Sequence, residues 1–368
     1  MTARGWRWRG SVALMGVALA FVLVPFFTDV INSDWPAFAT GGRLIVSDPA
    51  HLYDFDTQRR VELDVTHGRV LVTLGISGIL PFLAPAWVAL LAAPFDALGT
   101  ETGGKLWILF GLACLALGLH LAARPRAPSL ILPAFSSIPT ALMLLNAQLD
   151  GIVVLGIGAA IALWRRPYYA GLALGLTLVK PQLVLPLWVA MIVTTRWRVL
   201  AGWATAGTAL LAVTAAFNPR WVLQWLPALS SPVTSGSREV DLAHFGTVAP
   251  GAAQGYAVAL LSLAGLVAVL WLARSVRGDF NAAGAILVAG GVLVAPHALP
   301  SDLVLVALAL VVWGRATWRE WVLLSAGALI AALAPPPVPA AVGVLLMGYL
   351  LVRFSGLWRR APAPASAG

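Results

Sequence analysis

Long apolar runs, joined by short links that carry arginine, recur from residue 11 to residue 352. Such runs are long enough to cross a bilayer and must then satisfy every backbone polar group internally, which restricts the spanning elements to helices or a closed barrel. The runs are continuous Leu, Ala and Val rather than alternating short strands, so the spans are expected to be helices. Hydrophobic residues make up 60% of the 368-residue chain and charged residues 11%. No soluble core of that length hides so much apolar surface. The expected fold class is therefore all-α, a polytopic membrane protein.

The formal net charge of +9 does not point to nucleic acid, because the arginines sit in the short links, as the positive-inside rule expects. Arginine outnumbers lysine 22 to 2, the lysines being Lys105 and Lys180. Cys114 is the lone cysteine, which excludes a disulfide framework and a Cys-rich metal site. Arg4, Arg7 and Arg9 precede the run 11–27, which reads as an uncleaved first span with a cytoplasmic N-terminus.

Two polar stretches interrupt the pattern. The first, 28–68, holds 7 of the 15 acids: Asp29, Asp34, Asp48, Asp54, Asp56, Glu62 and Asp64. The second, 218–254, carries Arg220, Trp221, Trp225, Arg238, Glu239, Asp241 and His244. Residues 1–360 read as one polytopic domain with 28–68 and 218–254 as outer loops, and 361–368 as a disordered tail. A plain count gives twelve spans: 11–27, 80–98, 105–122, 129–145, 151–164, 170–193, 199–217, 255–273, 281–296, 302–314, 320–334 and 338–352. That count leaves Arg124, Arg126, Arg165 and Arg166 outside. A second reading makes 70–98 and 168–194 hairpins of short re-entrant half-helices, bent near Pro81–Pro85 and at Lys180–Pro181. It brings all the arginine links to the inside and sets Asp34, Gln148, Lys180, His297 and Asp302 on one outer face. The second reading is preferred. Gly171 and Gly175 form a GxxxG that suits close helix packing.

Few residues in such a chain are equipped for chemistry. Asp34, just beyond the first span and next to Trp35, has the chemistry of a general base for a hydroxyl, and equally of a solvated loop acid. Lys180 precedes Pro181 inside an apolar run, where an ionisable group is costly; a compact ammonium there suits a phosphate, the alternative being snorkelling. His297 lies between Pro296 and Pro300, with Asp302 following at a position that also suits a helix cap. Gln148 and Asp150 stand between apolar runs, where capping and ligand binding fit equally. Asp54 reads as a cap or turn residue. There is no Walker A, Rossmann or HExxH motif.

The segments DWPAFATGGRLIVSDPAHLYD, LPFLAPAWVALLAAPF, NAQLDGIVVL, AGLALGLTLVKPQLVLPLWVAMIVTTRWR and VAPHALPSDLVLVALAL occur in that order. Over roughly residues 11–315 the chain resembles glycosyltransferase family 87 of the GT-C superfamily, polyprenol-phosphate-mannose-dependent α-1,2-mannosyltransferases. The resemblance implies a GT-C fold with an active site on the outer face of the cell membrane and cytoplasmic termini. It implies inverting hexose transfer, mannose by the resemblance, from a polyprenyl-phosphate donor to a hydroxyl of a glycolipid or polysaccharide, with membrane lipids as the surroundings. By position Asp34 is the base, Lys180 and His297 hold the donor phosphate, and Gln148, Asp302 and Tyr53 bind substrate. No cofactor or metal is demanded. Two departures stand out: Ala147-Gln148 where the family often has Gly-Gln, and Ser47-Asp48-Pro49 where it often has Gly before Tyr-Asp. The competing reading from another class is a transporter or flippase of lipid-linked sugar, for which inverted repeats would be expected and none is visible.

Overall fold

The computed structural model describes residues 29–73, 76–78, 80–123, 128–229, 253–335 and 337–357. The expected first span 11–27, Arg124, Arg126, most of the second outer loop and the tail lie outside the described residues. Within them the chain is helical apart from one hairpin, β1 (Leu71–Thr73) antiparallel to β2 (Ile76–Gly78), with Leu71 opposite Gly78.

The first polar stretch folds into α1 (Trp35–Ser47) and α2 (Phe55–Val65). Ser33 Oγ accepts from the Trp35 amide at 3.2 Å, and Pro36 follows where no amide is needed. Asp54 caps α2 by accepting from the Thr57 amide at 2.8 Å, so it is a cap residue. Trp35 is fully buried against Trp107, their ring centroids 5.6 Å apart.

Three of the expected spans are broken. Of 80–98 only α3 (Ala86–Asp96) is helical; Pro81 and Pro85 hold 80–85 extended, and the part expected as a first half-helix forms the β hairpin instead. Both ends of α3 meet the first polar stretch. The Tyr53 hydroxyl donates to Ala84 O at 2.9 Å just before α3, and Asp96 at its end pairs with Arg43 of α1 at 3.1 Å. This segment therefore lies along α1. The chain turns at Gly99, whose φ of 85° suits glycine, into α4 (Thr100–Ala122). The run 129–145 divides into α5 (Pro128–Phe135) and α6 (Ile138–Leu145).

The third break is at Lys180. After α7 (Asp150–Ala162), helix α8 (Pro167–Leu174) tightens into a 3-10 turn, Gly175–Val179. Lys180 is non-helical at φ −142°, ψ 69°, as a residue before proline tends to be. A second 3-10 turn, Pro181–Val184, leads into α9 (Leu185–Val193). The remaining helices are α10 (Trp197–Phe217), α11 (Trp221–Ala228), α12 (Ala253–Ser275), α13 (Phe280–Val294), α14 (Val304–Trp313), α15 (Trp318–Leu333) and α16 (Val338–Ser355). Four described stretches are long and apolar enough to cross a membrane: α4, α10, Val258–Ser275 of α12, and α16. Six more apolar segments of 10–17 residues accompany them.

Side-chain contacts give the bundle two ends. Arg196 lies over the Trp164 ring at 5.7 Å, and that ring meets Phe280 at 5.2 Å. Arg315 pairs with Asp279 at 2.7 Å, and Arg353 with Glu320 at 2.8 Å. The links after α7, α9, α12 and α14 therefore gather at one end. Lys180, reached from that end by α8 and left toward it by α9, sits far from the link residues, among the residues that begin α7 and α14. Residues 167–193 thus leave and rejoin the same end of the bundle. The GxxxG pair does bring helices together: a Cβ at Gly171 would fall 1.9 Å from Val199 O of α10.

Candidate active site

Lys180 is held by two carboxylates from different elements. Its Nζ donates to Asp150 Oδ1 at 3.0 Å and to Asp302 Oδ1 at 2.7 Å. Asp150 begins α7, and Asp302 lies in the 3-10 turn Pro300–Leu303 before α14. Asp302 Oδ2 also accepts from the Leu299 amide at 2.7 Å, so Asp302 caps its own turn while pairing with the lysine. Both carboxylates are buried, whereas 13% of the Lys180 side chain is exposed. Two of the three ammonium hydrogens are used and one is left for a further acceptor. The seat is shaped by α13: a Cβ at Gly291 would fall 1.8 Å from Leu183 O, so only glycine lets α13 touch the turn after Lys180.

Asp34 joins the same group from the first polar stretch. Its amide donates to Asn146 O at 3.2 Å, and its Oδ2 accepts from Gln148 Nε2. The Asn146–Gln148 turn is fixed on its other side by Trp107, whose Nε1 donates to Ala147 O at 2.9 Å. Ala147 itself takes φ 51°, the left-handed region that disfavours a side chain. A glycine there removes that cost.

Burial pushes the Asp34 carboxyl up from 3.8 to about 6, against the opposing pull of Lys180 and His297, both near enough for their charges to act on it. His297 lies in the irregular link between α13 and the turn that holds Asp302. Asp34, Lys180 and His297 each keep some exposed surface, while Gln148, Asp150 and Asp302 around them are buried. Gln148 holds Asp34, and Asp150 and Asp302 hold Lys180. A carboxylate titrating near neutrality, an ammonium with a free hydrogen and an imidazole together suit proton removal beside a developing anion.

Tyr53 stands apart from this group. It is buried, stacked on Phe82 at 6.1 Å, with its hydroxyl committed to Ala84 O. It belongs to a clamp on the extended strap Leu80–Pro85. Gln58 pairs with both backbone groups of Phe82, Oε1 accepting from its amide at 2.8 Å and Nε2 donating to its carbonyl at 3.1 Å. Glu62 Oε1 accepts from the Leu80 amide at 3.0 Å, and Trp225 Nε1 donates to Leu83 O at 2.7 Å. These side chains stand in for the ladder partners that an isolated buried strand lacks. Trp225, from the second polar stretch, is here a hydrogen-bond donor to the strap. Arg238, Glu239, Asp241 and His244 lie outside the described residues.

Sequence reasoning overlooked two carboxyls. For Asp150 capping and ligand binding fit equally in sequence, and its pairing with Lys180 is not readable there. Glu62 carries no motif at all, and its importance comes from burial on an otherwise polar helix.

The family model for glycosyltransferase family 87 matches residues 82–300, which include Gln148, Lys180 and His297 and stop short of Asp34 and Asp302. Comparison with curated proteins and with solved structures returns no match. The match spans more than half of a chain whose described residues include four helices apolar and long enough to cross a membrane, and this membrane protein belongs to glycosyltransferase family 87.

Proposed function

We propose that this glycosyltransferase moves a hexose, mannose by the family resemblance, from a polyprenyl-phosphate donor to a hydroxyl of a glycolipid or polysaccharide acceptor. The reaction takes place on the outer face of the cell membrane, with the arginine-bearing end and both termini toward the cytoplasm. The observation that supports this reading is that Lys180 and His297, from two other parts of the chain, lie near enough for their charges to act on Asp34.

Asp34 removes the proton of the acceptor hydroxyl as that oxygen attacks the anomeric carbon. The bond from that carbon to the phosphate oxygen breaks with inversion, and the lipid phosphate leaves as an anion. One carboxylate is enough, since no covalent glycosyl intermediate is formed. Gln148 orients the Asp34 carboxylate through its hydrogen bond. His297 and the remaining hydrogen of Lys180 meet the leaving phosphate. Lys180 is already paired with Asp150 and Asp302, so it contributes a directed hydrogen rather than a free positive charge, and His297 carries more of the phosphate recognition. Asp302 acts through Lys180. Tyr53 supports the acceptor side by holding the strap.

The test is transfer from a radiolabelled polyprenyl-phosphate hexose by purified protein in lipid vesicles. A new labelled glycolipid supports the enzyme. Label that crosses the vesicle membrane without forming a new bond supports a flippase and overturns the proposal.

A further inference from the structure

Two arginines at the end of α12 have no acid to pair with among the described residues. Arg274 lies in the last turn of that helix and Arg277 follows it, both exposed. Elsewhere at this end of the bundle arginines are engaged: Arg315 with Asp279, Arg353 with Glu320 and Arg196 over Trp164. Asp279, the acid nearest in sequence, has both oxygens in use. Its Oδ1 accepts from the Ala282 amide at 3.0 Å and its Oδ2 from Arg315 at 2.7 Å.

Arg274 and Arg277, with Trp271 and Ser275, line a cavity of about 410 Å³. Ser275 Oγ spends its hydrogen on Leu272 O at 2.7 Å, so the donors left to a ligand are the two guanidiniums and the indole. A helix C-terminus ordinarily disfavours an anion. Here its carbonyls are used within the turn. Ala273 O accepts from the Val276 amide and Arg274 O from the Arg277 amide, both at 3.3 Å, and Val276 O from the Asp279 amide at 2.7 Å. The cavity therefore presents positive charge with no negative group to offset it.

The same helix face continues away from the cavity as an apolar stripe. Trp271, Val267, Leu263 and Leu260 follow one another at intervals of three and four residues, each more than half exposed. They belong to Val258–Ser275, a stretch apolar enough to cross a membrane and only 11% buried inside the protein. Along this face the order is aliphatic, indole, guanidinium. That is also the order of acyl chain, interfacial region and phosphate in one leaflet.

We propose that Trp271, Arg274 and Arg277 bind the headgroup of an anionic phospholipid whose acyl chains lie on the stripe Leu260–Val267. A guanidinium donates two parallel hydrogens to a pair of phosphate oxygens. Two of them without a carboxylate favour a headgroup with net negative charge over a zwitterionic one, whose own cation would be set against them. The site lies at the arginine-bearing end, apart from Asp34 and Lys180, and is independent of the sugar transferred. A bound lipid braces a helix that has little packing of its own.

The test uses the full chain, purified in neutral detergent and stripped of lipid. It is titrated with phosphatidylglycerol, with phosphatidylcholine of the same chains, and with inorganic phosphate. Bound lipid is read by native mass spectrometry and by unfolding temperature. Phosphatidylglycerol is expected to saturate one site first and to raise the unfolding temperature, phosphatidylcholine to do neither, and inorganic phosphate to leave the lipid in place. Arg274→Gln with Arg277→Gln raises the half-saturating phosphatidylglycerol concentration about 10- to 30-fold. Arg165→Gln with Arg166→Gln removes the same charge from the exposed link after α7, at the same end, and leaves that concentration unchanged. Arg274→Lys with Arg277→Lys keeps the charge, loses the fork and weakens binding less than the glutamine pair does. Binding unchanged in Arg274→Gln with Arg277→Gln overturns the proposal. So does an equal loss in the two glutamine pairs, which means diffuse attraction. Equal binding of phosphatidylcholine, which means a general lipid shell, or displacement by inorganic phosphate, which means a soluble-anion site, overturns it as well.

Discussion

Asp34 draws its reactivity from where it sits rather than from its neighbours in sequence. An ordinary loop aspartate is a weak base at neutral pH; one held near 6 by burial is ionised at pH 7 and still basic enough to take a hydroxyl proton. Asp34→Asn is therefore expected to lower kcat about 10²–10⁴-fold with little change in unfolding temperature, measured on purified protein. Lys180→Met is expected to act differently. It leaves Asp150 and Asp302 facing each other in the interior, at a cost of about 3–5 kcal/mol, read as a large drop in thermal stability in detergent. Asp34 and Glu62 also set a pH dependence of folding. Both have raised values in the folded chain, so their contribution is complete at low pH and is lost as pH rises, from 3.8 to about 6 for Asp34 and from 4.5 to about 8 for Glu62. Thermal unfolding across those windows is expected to flatten between 4.5 and 8 in Glu62→Gln. Of these residues, Asp34, Lys180 and His297 were legible in sequence because a lone acid, a rare lysine and a proline-bracketed histidine are conspicuous in an apolar chain. Asp150 and Glu62 were not, since nothing in a linear pattern distinguishes a buried carboxyl from a cap or a solvated acid.

At the scale of elements, the site is assembled by breaks in helices. Lys180 is presented by two 3-10 turns, Asp302 by a third, and Asp34 and Gln148 by turns at helix ends. Prolines determine where these breaks fall, and Pro181 was readable as one. Which helix covers a break was not readable. Gly291 allows α13 to contact Leu183 O, so Gly291→Ala is expected to displace the Lys180 turn and reduce both stability and transfer, whereas alanine at a solvent-facing helical glycine would stabilise. The opposite change is expected at Ala147. Glycine there relieves a left-handed backbone and is expected to raise stability by about 1 kcal/mol, seen as a higher unfolding temperature with transfer retained. The strap Leu80–Pro85 shows the limit of pattern reading. Its hydropathy resembles half of a span, but its backbone is satisfied by Gln58, Glu62, Tyr53 and Trp225, which come from far along the chain.

For the whole molecule, the decisive feature is polarity between two ends, arginine links at one and Lys180 with its two acids at the other. If the arginine end faces the cytoplasm, a single cysteine at Arg277 and one at His51, placed in a Cys114→Ala background, are expected to react with an impermeant maleimide from opposite sides of sealed vesicles. Labelling of both from one side would reverse the proposed arrangement. The amino-acid sequence alone determined that this chain is an α-helical membrane protein and which family it belongs to, because apolar runs and motif order are properties of the linear chain. It also suggested the bend at Lys180–Pro181, since the alternative stranded arginines on the wrong side. Tertiary structure decided the rest: that α3 lies along α1, that Lys180 is paired with two buried acids, and that one oxygen of Glu62 is buried without a hydrogen-bond partner. Those outcomes depend on which distant groups share a low-dielectric interior, and burial, which sets the cost of a charge, exists only after the chain has folded.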